Sequence, residues 1–289
     1  MSLPDLKACL FSNPHALLQS VRLKAAALKG SLWPQSSTIK VGFIKQAFSY
    51  NGSTLEPEYT KEKADWVERT IMKYVDPLVN LSFMWDVPLE EADVRITFVK
   101  ALGSWSTLGK QARDVPREEP TMNLGWLDQN QEDSANSITQ GTGQVVIHEF
   151  GHLCGLIHEH SSPSAADQIV WNKDLIYASL SGPPNSWSKE MIDYNVMFSY
   201  DKESVNASAY DPKSIMHYVF PKEFFIKGPD LTQNITLSPL DKQWLSMMYP
   251  TKGLAMNEDT PKPKNMKWIL LLIIGVIIIF AYLKYRRRV

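Results

Sequence analysis

His148-Glu149-Phe150-Gly151-His152-Leu153-Cys154-Gly155-Leu156-Ile157-His158 decides how this 289-residue chain is read. On an α-helix, His148 and His152 stand four residues apart, so both project from one face and their ring nitrogens can meet one ion. Glu149 points to the side, where its carboxylate can take a proton from a metal-bound water without filling a coordination position. Continued as helix, the chain would turn His158 roughly 240° away from His152, at about 100° per residue. The helix is therefore expected to end at Gly155, which adopts the left-handed conformation of a helix C-terminus without steric cost. His158 then returns to the ion as a third ligand. Three neutral imidazoles leave a tetrahedral zinc ion one open position, the pattern of a catalytic zinc site.

Five of the six histidines (His148, His152, His158, His160 and His217) fall in one part of the chain, which suggests a single site. His160 lacks ligand spacing and reads as a solvated or hydrogen-bonded residue with no direct catalytic role. A second segment, Tyr210-Asp211-Pro212-Lys213-Ser214-Ile215-Met216-His217-Tyr218, completes the constellation. Met216 taken alone is apolar packing, and Tyr218 alone is a tyrosine with a satisfied hydroxyl. His217 reads as a packed or supporting imidazole.

The long histidine motif with Glu159 directly after it, followed by Ser214-Ile215-Met216-His217-Tyr218, closely resembles the astacin-like branch of the metzincin zinc peptidases. The resemblance spans roughly residues 36–250. It implies that His148, His152 and His158 bind Zn2+, that Glu149 is general base and acid, and that Met216 lies in a tight turn beneath the metal. It further implies that Tyr218 is a movable metal ligand that stabilises the transition state. The implied fold is α+β: a metzincin-like zincin domain with a twisted, mostly parallel sheet, an antiparallel edge strand, the active-site helix and an irregular C-terminal half. The edge strand would lie above the metal and pair with an extended substrate in a cleft between the halves. The chain departs from secreted members by continuing as Glu159-His160-Ser161-Ser162-Pro163 after the third histidine. It also has only Cys9 and Cys154, too few for their disulfide framework. The stretch His158-Glu159-His160 with Ser162-Pro163, and later Trp171-Asn172-Lys173, looks more like divergent microbial and fungal members.

A hydrophobic content of 44% is that of an ordinary globular domain, and the net charge of −1 with a pI near 6.6 gives no reason to propose nucleic acid as a partner. Cys154 is expected to pack as a small hydrophobe. Cys9 lacks any recognisable motif around it that would mark a thiolate directed at the metal. Residues 14–29 form a basic, amphipathic stretch in an N-terminal extension over 1–36, which can be a prosegment, a targeting element or a helix packed on the domain. The catalytic domain is expected over 37–250. Strands are expected at 38–44, 81–85, 94–99 and 121–127, and helices near 57–75, 142–154, 189–200 and 240–249. Residues 103–109 read as a turn-rich loop, and 121–127 is the candidate edge strand, because an open edge offers backbone groups to a peptide.

Residues 251–267 read as a proline- and lysine-containing linker, 268–283 as a transmembrane helix and 284–289 as a basic tail. The sixteen uncharged residues of 268–283 would span about 24 Å, short of a bilayer core of roughly 30 Å, with Lys267 and Lys284 able to snorkel. Trp268 and Tyr282 suit the two interfaces. The flanking charges nearly balance, so they do not orient the span. Without an N-terminal apolar run, the expectation is a single-pass, tail-anchored protein with a cytosolic catalytic domain. Sequons at Asn51, Asn80, Asn206 and Asn234 point toward an extracytosolic orientation instead. The function read from these features is that of a membrane-tethered zinc endopeptidase acting on protein or peptide, with the bilayer as second partner and the oligomeric state open. The competing class is a membrane-tethered binding or adhesion module retaining a structural zinc site, and Glu149 discriminates against it, since a structural site has no use for a base.

Overall fold

The computed structural model describes residues 30–127, 143–182, 186–203, 205 and 209–250. Residues 14–29, the linker over 251–267, the apolar run 268–283 and the basic tail lie outside the described residues. Among the described residues, no helix is long and apolar enough to cross a membrane.

A five-stranded sheet carries the N-terminal half, in the order β4 (Ser82–Trp85), β1 (Thr38–Phe43), β5 (Val94–Thr97), β7 (Met122–Leu124), β6 (Ser104–Ser106). The first three pairings are parallel, and β6 runs antiparallel to β7, while β2 (Phe48–Tyr50) and β3 (Ser53–Leu55) pair as a separate antiparallel hairpin. All four residues of β5 are buried, as expected of a central strand covered on both faces. Helix α1 (Lys61–Tyr74) begins where the Thr60 side chain accepts the Lys63 N–H, shortly after Pro57, and buries Ala64, Val67 and Ile71 at helical spacing. It packs against α2 (Gly143–Leu153), whose Val146, Ile147, Phe150 and Leu153 join the core formed with Ile39, Val41, Ile96 and Leu124.

Residues 121–127 do not form the sheet's edge, contrary to expectation. They contain β7, an interior strand bonded to β5 on one side and β6 on the other, so its backbone is already committed. The antiparallel edge strand is Ser104-Trp105-Ser106, inside the stretch that reads as a loop. Three residues between Gly103 (φ 68°) and Gly109 (φ 54°) are too short for an alternating pattern to register. The side chain of Asn123 fixes this strand's entry: its Oδ1 accepts the Val99 N–H at 2.8 Å, and its amide donates to Val99 O and Gly103 O.

The C-terminal half is sparse in regular structure. It has α3 (Lys173–Leu180), the two-stranded β8 (Val170–Trp171) and β9 (Phe225–Lys227), and α4 (Pro239–Met248). Residues 189–200 form a short turn of α-helix, Lys189–Ile192, and then a wider π-turn, Asp193–Met197, in place of one continuous helix. A second apolar cluster holds this half together: Trp105 of the edge strand and Tyr50 pack with Ile176, Ile192, Tyr218 and Phe220. Trp33, ahead of residue 37, is 2% exposed and belongs to the main core.

Candidate metal centre

Helix α2 ends by a full set of C-terminal capping bonds. Gly155 has φ 91°, Leu156 N–H donates to Gly151 O at 2.9 Å, and Gly155 N–H donates to His152 O at 2.8 Å. The reversal lets the chain double back, bringing His158 to the face that carries His148 and His152. The last carbonyls before the turn are taken by distant residues. The Trp33 indole N–H donates to Leu153 O at 2.8 Å, and the Tyr249 hydroxyl donates to Cys154 O at 2.9 Å. Both ends of the described fold thus clamp the end of this helix.

The three histidines converge, with one ring nitrogen of each lying within 4.8 Å of the others. His148 Nδ1–H donates to Ile215 O and His152 Nδ1–H donates to Leu156 O, each at 2.8 Å. A ring that donates from Nδ1 keeps its Nε2 lone pair for an ion. His148 Nε2 is buried and has no hydrogen-bond partner. His152 Nε2 and His158 Nε2 are 3.0 Å apart, near the separation of about 3.3 Å for two nitrogens ligating one tetrahedral zinc at about 2.0 Å. Burial pushes His148 down to about 4 and His152 to about 3, and holds His158 well below the usual imidazole value. Neutral rings with one orphaned lone pair fit zinc. Glu149, next to His148 on α2, is 1% exposed.

Met216 sits in a turn closed by His217 N–H donating to Ser214 O at 3.1 Å. Its sulfur explains Gly151 of the motif, because a Cβ there would lie 2.5 Å from Met216 Sδ. Tyr218 packs on the histidines, its ring centroid 4.2 Å from that of His158 and 5.9 Å from that of His148. His160 is buried rather than solvated, stacked on His158 at 5.4 Å, with Nε2 3.3 Å from Asn195 O. Glu159 accepts the Asp211 N–H at 2.8 Å, and burial pushes its carboxyl up to about 8.

Two supports of the turn are missed by sequence reasoning. Asp241 accepts the Ser214 hydroxyl at 2.7 Å and the N–H groups of Ile215 and Ser238 at 2.9 Å each, so one buried carboxylate both caps α4 and holds the segment whose carbonyl orients His148. Ser238 and Asp241 form a capping-box pattern, the one local signal that could have found it. Asn234, which reads as a sequon, instead donates its side-chain amide to Pro212 O and Ser214 O at 3.0 and 2.9 Å. Burial raises the Asp241 carboxyl above its usual range.

Comparison with known proteins bears on this geometry. The profile of the peptidase family described as Astacin matches residues 53–249. The chain is similar to a solved structure of myroilysin at 34% identity and TM-score 0.65, covering 78% of this chain and 98% of that one. It is also similar to a crystal structure of myroilysin at 33% identity and TM-score 0.52, covering 86% and 93%. No curated protein matches the chain in sequence. With the histidine cluster, the turn at Met216 and a family profile covering most of its length, the chain belongs to the astacin family of zinc metallopeptidases.

Proposed function

We propose that this zinc endopeptidase hydrolyses peptide bonds at the cluster of His148, His152 and His158, with Glu149 as general base and acid and Tyr218 as oxyanion donor. The convergence of three imidazole nitrogens within 4.8 Å of one another carries this reading. Zinc bound there would supply Lewis acidity and lower the pKa of its water toward neutrality. Ile215 O and Leu156 O fix the tautomers of His148 and His152. Glu149 takes the proton of the attacking water and passes it to the leaving amine. The Tyr218 hydroxyl donates to the carbonyl oxygen as negative charge develops on it, an interaction that grows toward the transition state.

Cleavage of a generic protein substrate by wild type and Glu149→Ala, with zinc measured by mass spectrometry, tests these roles. The expected outcome is one zinc per chain in both and a loss of about 100-fold or more in the variant. Bound zinc without cleavage in either would favour a tethered binding module. We propose further that residues 268–283 tether the enzyme to a membrane, on the strength of their sixteen uncharged residues between Lys267 and Lys284, and that the catalytic domain faces the cytosol. Digestion of intact membranes by an added protease tests the orientation. A catalytic domain protected inside sealed, cytosol-side-out vesicles would contradict it.

A further inference from the structure

His217 separates Met216 from Tyr218, and two hydrogen bonds of its ring are left unexplained by the metal centre. His217 Nδ1 lies 2.7 Å from the carbonyl oxygen of Tyr218. A carbonyl oxygen only accepts, so Nδ1 carries the proton. Nε2 of the neutral ring is then an acceptor, and the Tyr210 hydroxyl, 2.7 Å away, is its donor. The segment presenting Tyr210 is itself anchored. The next residue, Asp211, donates its N–H to Glu159 Oε1 at 2.8 Å and accepts the Ser238 hydroxyl on Oδ2 at 2.6 Å. His217 is 5% exposed and packs beside the rings of His160 and Phe220, which also contact each other, so its ring has little room to turn. One end of this chain of contacts is fixed to the residue that follows the third histidine, and the other to the backbone of the tyrosine that packs on the histidines.

We infer that Tyr210 is a positioning residue for the reaction, acting through the His217 ring to hold the Tyr218 carbonyl and so the place from which the Tyr218 phenol reaches the substrate. This inference rests on the proposed role of Tyr218 as oxyanion donor. A donor that stabilises a transition state must be held to a fraction of an ångström, and drift of about 1 Å can remove most of its effect. The Tyr218 ring contacts histidines and other aromatic rings, which confine it by packing alone. The hydrogen-bonded carbonyl adds a directional restraint that ring packing lacks. Tyr210 touches neither substrate nor metal in this scheme.

The zinc-loaded full chain is compared with Tyr210→Phe, Tyr218→Phe and the double variant on a fluorogenic peptide, each checked for zinc content and thermal midpoint. Tyr210→Phe keeps the ring and removes only the hydroxyl. It should retain its zinc, melt within about 4 °C of wild type, lower kcat by about fivefold to tenfold and leave KM within about twofold. The double variant should be no slower than Tyr218→Phe, because both changes act through one group. An unchanged kcat in Tyr210→Phe beside a slow Tyr218→Phe overturns the positioning role alone. An unchanged kcat in Tyr218→Phe overturns the role of Tyr218 and this inference with it. Multiplying losses in the double variant, or loss of zinc or fold in Tyr210→Phe, also overturn it. His217→Gln can donate to Tyr218 O and accept from Tyr210, so it should retain more kcat than His217→Ala, and equal losses count against the inference.

Discussion

Replacing Gly155 by alanine tests the turn that makes the third ligand possible. Gly155 has φ 91°, and an alanine Cβ there would lie 2.7 Å from Leu32 Cδ2. A left-handed conformation costs an alanine about 1–2 kcal/mol, and moving the Leu32 tip adds about 1 kcal/mol, the low end for overpacking. Restricting the unfolded chain returns about 0.4–1 kcal/mol. The net loss is about 1–2.6 kcal/mol, or a fall of roughly 2–10 °C in the melting midpoint of the zinc-free protein. Relaxation of the strain displaces the segment leading to His158, so zinc affinity should fall by about tenfold, a further effect measurable by competition with a chromophoric chelator. Gly155→Asn should recover part of both losses, since asparagine tolerates this conformation. The refuting result is a midpoint that rises, as it would if position 155 were ordinary helix interior, where alanine stabilises by up to about 1 kcal/mol.

Other perturbations probe the supports of the site. Asp241→Asn removes charge-assisted acceptance from Ser214, Ile215 and Ser238. Chemical denaturation should show a loss of about 2–3 kcal/mol, and zinc should bind about tenfold more weakly because Ile215 O no longer holds His148 firmly. Trp33→Phe deletes the indole donor to Leu153 O and should lower the calorimetric midpoint by about 2–4 °C without changing KM. In the chelated protein, burial lowers His148 and His217 from 6.5 to about 4 and His152 from 6.5 to about 3. For a base lowered in the fold, the unfolded chain takes up protons first, so this stability is present above pH 6.5 and lost as pH falls toward about 4. Thermal melts across that window should show it, and a flat profile would count against neutral buried histidines.

Much of the centre is legible locally. His148 and His152 follow from helical spacing, Gly155 marks the turn, and the segment containing Met216 and Tyr218 is recognisable from its residue order. The supports of the centre are not legible in this way, because Ile215 O reaches His148, and Asp241 and Asn234 reach the segment around Ser214, only through tertiary packing. Trp33 and Tyr249 lie 120 and 95 residues from the helix end they cap, and neither shows a motif. The edge strand fails for a different reason. Ser104-Trp105-Ser106 is too short for an alternation to repeat, and its place is fixed by the side chain of Asn123 and by pairing with β7. The helix over 57–75 and the strands at 38–44, 81–85 and 94–99 are legible to within a few residues, since their apolar positions repeat often enough to show a face.

The central claim is that three imidazoles, those of His148, His152 and His158, hold the zinc. Zinc K-edge X-ray absorption on wild type and His158→Ala measures this directly, because imidazole scattering reports how many histidine rings bind. The expected result is three imidazole nitrogens at about 2.0–2.1 Å in wild type and two in the variant. An imidazole count unchanged by removal of His158 would contradict it.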